Sequence, residues 1–202
     1  KNYWEVVISN GFDNEALKIL KKKKNLRIID ATKFIMKDII KFNSIHESIL
    51  TQSEDIKKFD IKDFKVVSKK KPSKSQLINL VFAFNICRYV KSNAIVLASQ
   101  KTTVGIGSGQ PSRIDSCQIA INKMNMLQNL DEEIVAASDA FFPFVDGIEK
   151  LVQSGISAVV QPSGSIRDKE IIKFANLTNT VLLFSKTRHF KHWQFGQFWL
   201  LK

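Results

Sequence analysis

The sequence has 202 residues, 44% of them hydrophobic, a mean hydropathy of -0.09 and a formal net charge of +12. It suits one domain or two small lobes with a real core. No apolar run nears the roughly eighteen residues of a membrane helix, and no leader-like region follows the opening Lys1-Asn2-Tyr3-Trp4-Glu5, which lacks an initiator Met, as a piece of a longer chain would. The positive charge is nearly all lysine, clustered at Lys21–Lys24 and Lys69–Lys71, where helix ends and loops are expected; it reads as solvated faces and not as a nucleic-acid surface.

Trp4 to Ser9 reads as a strand, and Asn10-Gly11 as a turn. Asp13 then caps a helix with Ala16, Leu17 and Leu20 on one face, and Leu26 to Ile29 reads as a second strand. Together they make a βαβ unit. Asp30 to Asp63 is nearly featureless, with Leu50-Thr51-Gln52 as a brief strand. Phe64 to Val67 is a clearer strand, and Lys69 to Ser73 a solvated turn. Ser75 is read as the cap of the clearest helix, whose stripe of Leu77, Leu80, Val81, Phe84, Cys87 and Arg88 is apolar except for Arg88 at its end. Cys87 and Cys117 fall inside helical patterns. With no CxxC and no His/Cys cluster they read as buried hydrophobes in a reducing compartment, and no metal is expected.

Asn93 to Ala98 and Thr102 to Ile106 form a hairpin around Gln100-Lys101. Gly107 to Arg113 is a glycine-rich loop leading into a helix with Ile114, Cys117, Ala120, Ile121 and Met124. Its spacing is not that of the dinucleotide fingerprint. Asn125 to Glu133 is a polar connector. Ser138 to Asp168 then reads as an aromatic loop, a helix ended by Gly155, an interior strand at Ile156 to Val160, and a Pro162-Ser163-Gly164-Ser165 turn. Ser165 and Asp168 have the spacing of a helix cap, so outward-facing N–H groups are expected there, suited to an anionic or carbonyl-bearing ligand. Thr180 to Phe184 is a buried strand, followed by basic and aromatic Ser185 to His192 and an apolar tail, Trp193 to Lys202.

Five strings fall in one order: WEVVIS…EALKILKKKKNLR, VKSNAIV, GIGSGQPSRID, SDAFFPF-x-DGI, and QPSGSIRDKE followed by TRHFKH. In this combination the chain resembles the C-terminal part of the AICAR transformylase domain of the bifunctional AICAR formyltransferase/IMP cyclohydrolase family. The resemblance covers Trp4 to about Arg27 and Asp63 to His192. It implies an α/β fold, a three-layer α/β/α, cytidine-deaminase-like arrangement with a mixed sheet and no metal. It implies residues 1–192 as the C-terminal portion of that domain, with 1–63 the remnant of a preceding lobe and connector, 64–192 the second lobe, and 193–202 an unusual tail.

The resemblance also implies a chemistry: formyl transfer from 10-formyltetrahydrofolate to AICAR in purine biosynthesis, in a cytoplasmic homodimer with shared active sites. Asn93 and His192 would be catalytic. Arg113, Phe141, Phe144, Asp146, Ser165, Arg188 and Phe190 would bind substrate: the Phe rings against flat heterocycles, Asp146 on the pterin, Arg113 and Arg188 on the nucleotide. The sequence departs from the family's pattern in several places. Its catalytic Lys-His pair belongs to the domain's first half, and here Lys-His occurs only as Lys191-His192. The upstream phosphate-binding residues and the cyclohydrolase domain are missing as well. Val145 stands where Arg is usual, and no Gly-Gly occurs around Glu47-Ser48. No turnover is therefore expected of the isolated chain. The alternatives are a folate- or AICAR-binding module that complements a separate N-terminal part and, more weakly, a basic nucleic-acid-binding domain.

Overall fold

The computed structural model describes residues 4–34, 40–46, 48–127 and 133–189, and the chain divides into two units, Lys1–Glu54 and Asp55–Lys202. In the first unit, strands β1 (Val6–Ser9) and β2 (Arg27–Asp30) pair in parallel, joined by helix α1 (Asn14–Leu20). The side chain of Asp13 accepts from Ala16 N–H at 2.6 Å and caps that helix, as its position predicts. Strands β3 (Ile40–Ile45) and β4 (Ser48–Ser53) form an antiparallel hairpin, longer than the brief strand expected at Leu50–Gln52. None of the described residues of this unit whose exposure is defined is buried.

The second unit is built on six strands in the order β5 (Phe64–Val66), β10 (Val181–Ser185), β9 (Ala158–Pro162), β8 (Val135–Ser138), β6 (Ile95–Ser99), β7 (Thr102–Gly107). The middle strands β8, β9 and β10 run parallel, and β5, β6 and β7 make antiparallel pairs, so the sheet is mixed. Every residue of β6, β8, β9 and β10 is buried, which requires cover on both faces. Helix α2 (Lys74–Cys87) packs on one face through Leu80, Ala83, Phe84 and Cys87. Helices α3 (Arg113–Asn125), α4 (Val145–Gln153) and α5 (Asp168–Leu177) cover the other through Cys117, Ala120, Ile148, Leu151, Ile171 and Ala175. The result is the expected three-layer α/β/α fold.

Two local features differ from the sequence reading. Helix α2 is capped by Ser73 and not Ser75: Ser73 Oγ accepts from Gln76 N–H at 3.0 Å, and Gln76 Oε1 accepts from Ser73 N–H at 2.9 Å. Gln76 completes this reciprocal box, which Ser75 could not form. Arg88, the expected polar end of the α2 stripe, donates from Nη1 to the carbonyls of Ile56 and Lys57, each at 3.2 Å. Strand β8 occupies Val135–Ser138, where no strand was expected.

The glycines of strand β7 set the distance to α3. A Cβ on Gly105 would lie 2.1 Å from the carbonyl oxygen of Ala120, and one on Gly107 1.8 Å from that of Ser116. Residues two apart on a strand share a face, as do residues four apart on a helix. The two glycines thus let α3 lie with its backbone directly on the strand.

Candidate functional site

The described site residues expected from the sequence all emerge at one end of the six-stranded sheet. Ile95 pairs with Gly107 and with Ser138, which puts the start of β6 beside the ends of β7 and β8. Pro162 pairs with Ser185, which aligns the ends of β9 and β10. Asn93 therefore precedes β6 at this end. The glycine-rich loop follows β7, Phe141 and Phe144 follow β8, Ser165 follows β9 and Arg188 follows β10. Ligands of open α/β sheets sit outside the carboxyl ends of parallel strands, the end at which β8, β9 and β10 finish here.

Asn93 and Arg113 are in direct contact. Arg113 Nη2 donates to Asn93 Oδ1 at 2.8 Å. Its Nη1 donates to Ser138 Oγ at 2.8 Å and forms an ion pair with Oδ1 of Asp139. Arg113 is 8% exposed and Asp139 0%. A buried guanidinium is tolerated because a carboxylate and two further oxygens satisfy it. The other carboxylate oxygen of Asp139 accepts from Ser92 Oγ. Asn93 Nδ2 donates to the carbonyls of Gln110 at 2.9 Å and Pro111 at 3.0 Å, tying it to the glycine-rich loop. Ser116 Oγ donates to the carbonyl of Asn93 at 2.7 Å. Arg113 thus directs both of its Nη groups to partners inside the chain.

The aromatic loop forms a second group. Phe142 is buried in the core, Phe141 is half-buried, and Phe144 is 52% exposed. The guanidinium of Arg167 lies over the Phe144 ring at 4.9 Å, so the turn after β9 and the loop after β8 meet there. Asp146 is exposed in the first turn of α4, its Oδ1 accepting from the N–H of Gly147 at 2.7 Å. Val145, the departure from the family's pattern, packs half-buried against the core.

Ser165 does not cap α5. Its Oγ accepts from Arg167 N–H at 3.1 Å, and the helix begins at Asp168 with Arg167 in the cap position. The carboxylate of Asp168 reaches back to accept from the N–H groups of Gly164 at 2.8 Å and Ser165 at 3.3 Å. Those are donors that the sequence reading left open for a ligand; the carboxylate three residues on already holds them.

Arg188 is exposed beyond β10. Phe190 and His192 lie outside the described residues. His189 was given no role, yet it is 1% exposed, wedged against Phe59 and Phe84 with ring centroids 4.9 and 4.6 Å away. Its Nδ1 meets Asp55, its Nε2 has no hydrogen-bond partner, and its N–H donates to the carbonyl of Asp139 at 2.9 Å. Burial holds the imidazole below its ordinary range, with Arg88 acting in the same direction; Asp55 and Asp139 oppose the shift. Gln161, fully buried under the aromatic loop, accepts from Phe142 N–H at 3.4 Å while its Nε2 has no partner. Burial pushes the Cys117 thiol up to about 12 and raises that of Cys87 as well, which disfavours the thiolate at both.

Sequence reasoning missed Asp139, Ser92 and Ser138. One signal was available for Asp139: a carboxylate two residues past the end of the apolar run Ile134 to Ala137 is headed for burial and needs a cationic partner. A cavity of about 430 Å³ lined by Lys74, Ser75, Ile78, Asn79, Gln100 and Lys101 opens at the opposite end of the sheet, around the β6–β7 hairpin tip. No described helix is long and apolar enough to cross a membrane. Among the described residues, no group of three or more His, Cys, Asp or Glu side chains could hold a metal ion.

Residues 1–123 match the family model described as AICARFT/IMPCHase bienzyme. Similar curated proteins include the bifunctional purine biosynthesis protein PurH of Limosilactobacillus reuteri, 42% identical over 194 residues, which are 95% of this chain and 38% of that protein. The PurH of Leptospira biflexa is also 42% identical, with the same coverage, and that of Oenococcus oeni is 44% identical over 94% of this chain and 37% of its own length. The chain thus spans under two fifths of the length of these relatives. With more than half of its residues matched by the family model, the chain belongs to the AICARFT/IMPCHase bienzyme family.

Proposed function

We propose that this chain forms the folate- and nucleotide-holding wall of an AICAR formyltransferase site. The observation that carries this reading is the arrival of Asn93, Arg113, Phe141, Phe144, Asp146, Ser165 and Arg188 at one end of a single sheet, from five separate segments of sequence. In the reaction, the 5-amino nitrogen of AICAR bonds to the formyl carbon of 10-formyltetrahydrofolate. The carbon's bond to N10 breaks, the amine loses a proton and N10 gains one. An aromatic amine is a weak nucleophile, so positioning carries much of the barrier reduction.

Exposed Phe144 and half-buried Phe141 offer ring faces to the planar ligands, and Asp146 offers an acceptor to pterin N–H groups. Asn93 sits next to the transferred group. Arg188 serves the nucleotide side, a role the family resemblance also gives to Phe190 and His192, and Ser165 serves the folate side. The turn after β9 holds the folate through shape and ring contacts, its Gly164 and Ser165 N–H groups being held by Asp168. Residues 64–192 act as the lobe that carries these groups, in a cytoplasmic homodimer whose sites are shared between subunits.

The sequence holds no Lys-His pair before Lys191-His192, and that pair is what the family's pattern makes catalytic. The chain alone accordingly binds its ligands without turning them over. The test is a steady-state assay of the purified chain with AICAR and 10-formyltetrahydrofolate, beside calorimetry with each ligand. Binding without turnover is expected. Turnover by the 202-residue chain would overturn the division of labour, and absence of binding would overturn the site.

A further inference from the structure

Asp139 stands at the junction of four segments of the second unit. Its carboxylate holds Ser92 and Arg113, its N–H donates to the carbonyl of Ala94 at 3.2 Å, and its carbonyl accepts from His189 N–H at 2.9 Å. Ser92 precedes Asn93 in the chain, and Arg113 touches the Asn93 side chain. One buried carboxylate therefore ties down both the backbone before Asn93 and the cation that holds its amide.

The polarity of that amide follows. A guanidinium lies on one side of the Asn93 carboxamide and two backbone carbonyls on the other. A flipped amide would set NH2 against the cation and a carbonyl against carbonyls, so only one orientation is satisfied. In it both Nδ2 hydrogens are taken by Gln110 and Pro111. Oδ1 has spent one lone pair on Arg113 and keeps the other. Asn93 is half-buried, unlike Asp139, so it is not sealed in the core.

We propose that Asp139 is a positioning residue: by holding Arg113 it fixes the Asn93 carboxamide as a hydrogen-bond acceptor toward an N–H group of the bound ligand. Only the identity of that group, the 5-amino group of AICAR, rests on the formyl-transfer reading. An amide oxygen is too weakly basic to take the proton. It accepts one N–H and thereby turns the nitrogen lone pair toward the formyl carbon, and the proton leaves to another group. Without Asp139 the buried guanidinium has lost its counter-charge and turns away from Asn93.

The test uses the 15N-labelled chain. The Asn93 side-chain amide signals are assigned by their loss in Asn93→Ala, and their solvent exchange is followed in wild type, Asp139→Asn, Arg113→Gln and the double variant. Single variants leave a buried group without its partner and are less stable; the double variant removes both charges and regains most of the lost stability. Amide exchange at least about tenfold faster in all three variants is expected, including the refolded double variant. A second arm compares binding of AICAR with the same ribotide lacking the 5-amino group. A preference of about tenfold in wild type should fall to near unity in the double variant. If the double variant regains Asn93 protection together with stability, the pair is merely structural and the proposal is overturned. Should wild type bind neither ribotide, the formyl-transfer reading falls. The exchange arm then decides alone: faster exchange in the folded double variant upholds the positioning role, and unchanged exchange overturns it.

Discussion

Gly107→Ala tests how the site is held in place. The new Cβ would lie 1.8 Å from the carbonyl oxygen of Ser116 and 2.6 Å from its carbonyl carbon, both backbone atoms that cannot rotate away. To bring the closest contact to 3.0 Å, below which Cβ contacts essentially never occur, α3 must retreat by at least about 1.2 Å. Arg113 lies less than one turn before Ser116, so it is carried along, although its bonds to Ser138 and Asn93 are only 2.8 Å long. Overpacking costs about 1–3 kcal/mol, and losing the buried ion pair with Asp139 costs about 3–5 kcal/mol if the pair breaks completely. A total loss of at least about 3 kcal/mol is expected, or a fall in Tm of roughly 6–12 °C for a unit of this size. Urea denaturation and a thermal scan measure it. If Gly107→Ala changes stability by less than about 1 kcal/mol and leaves the Asn93 amide signals unmoved, the close packing of β7 on α3 does not hold the site.

Gly147→Ala places a Cβ 2.6 Å from the buried Phe142 ring; overpacking of about 1–3 kcal/mol exceeds the helix-propensity gain of up to about 1 kcal/mol. A net loss in chemical denaturation is expected, and a stabilised variant would refute it. Asp168→Ala frees the N–H groups of Gly164 and Ser165 and should cost about 1 kcal/mol of stability, since water can replace an exposed bond in part. An unchanged denaturation midpoint would count against that role. His189, held below its ordinary range by burial, resists the proton that the unfolded chain accepts below about pH 6.5. Its contribution is therefore complete above that pH and declines as pH falls toward the lower folded value, by at most about 1.4 kcal/mol per pH unit. His189→Phe should flatten stability curves measured between about pH 5 and 7; parallel curves would contradict the assignment.

Strands bounded by turn residues were legible in the sequence. The β6–β7 hairpin, β9 and β10 each combine apolar β-branched residues with Gly, Ser or Asn punctuation, and the parallel β1–β2 pair follows from the short helix between its strands. Strand β8 was not legible. Val135-Ala136-Ala137 has no β-branched run and no turn residue before it, and Ser138 reads as the start of the loop. The glycine-rich string was visible, but not what Gly105 and Gly107 do: they serve helix packing, which only the facing carbonyls of Ala120 and Ser116 reveal. The Asp139–Arg113–Asn93 chain joins residues 26 and 20 positions apart through tertiary contacts, which no local spacing encodes. Likewise, the spacing of Ser165 and Asp168 drew attention to the right turn but reversed the roles. The aspartate supplies the acceptor, while the serine turns inward to Arg167.

The central claim is that the end of the sheet carrying Phe141, Phe144 and Asp146 holds a reduced folate. It is tested most directly by calorimetric titration of 10-formyltetrahydrofolate into the chain and into Asp146→Ala, which removes an exposed side chain whose only described bond is to its neighbour's N–H. The account predicts saturable binding to wild type, weakened about tenfold in the variant by loss of the pterin's acceptor. No binding, or equal affinity in both proteins, would contradict it.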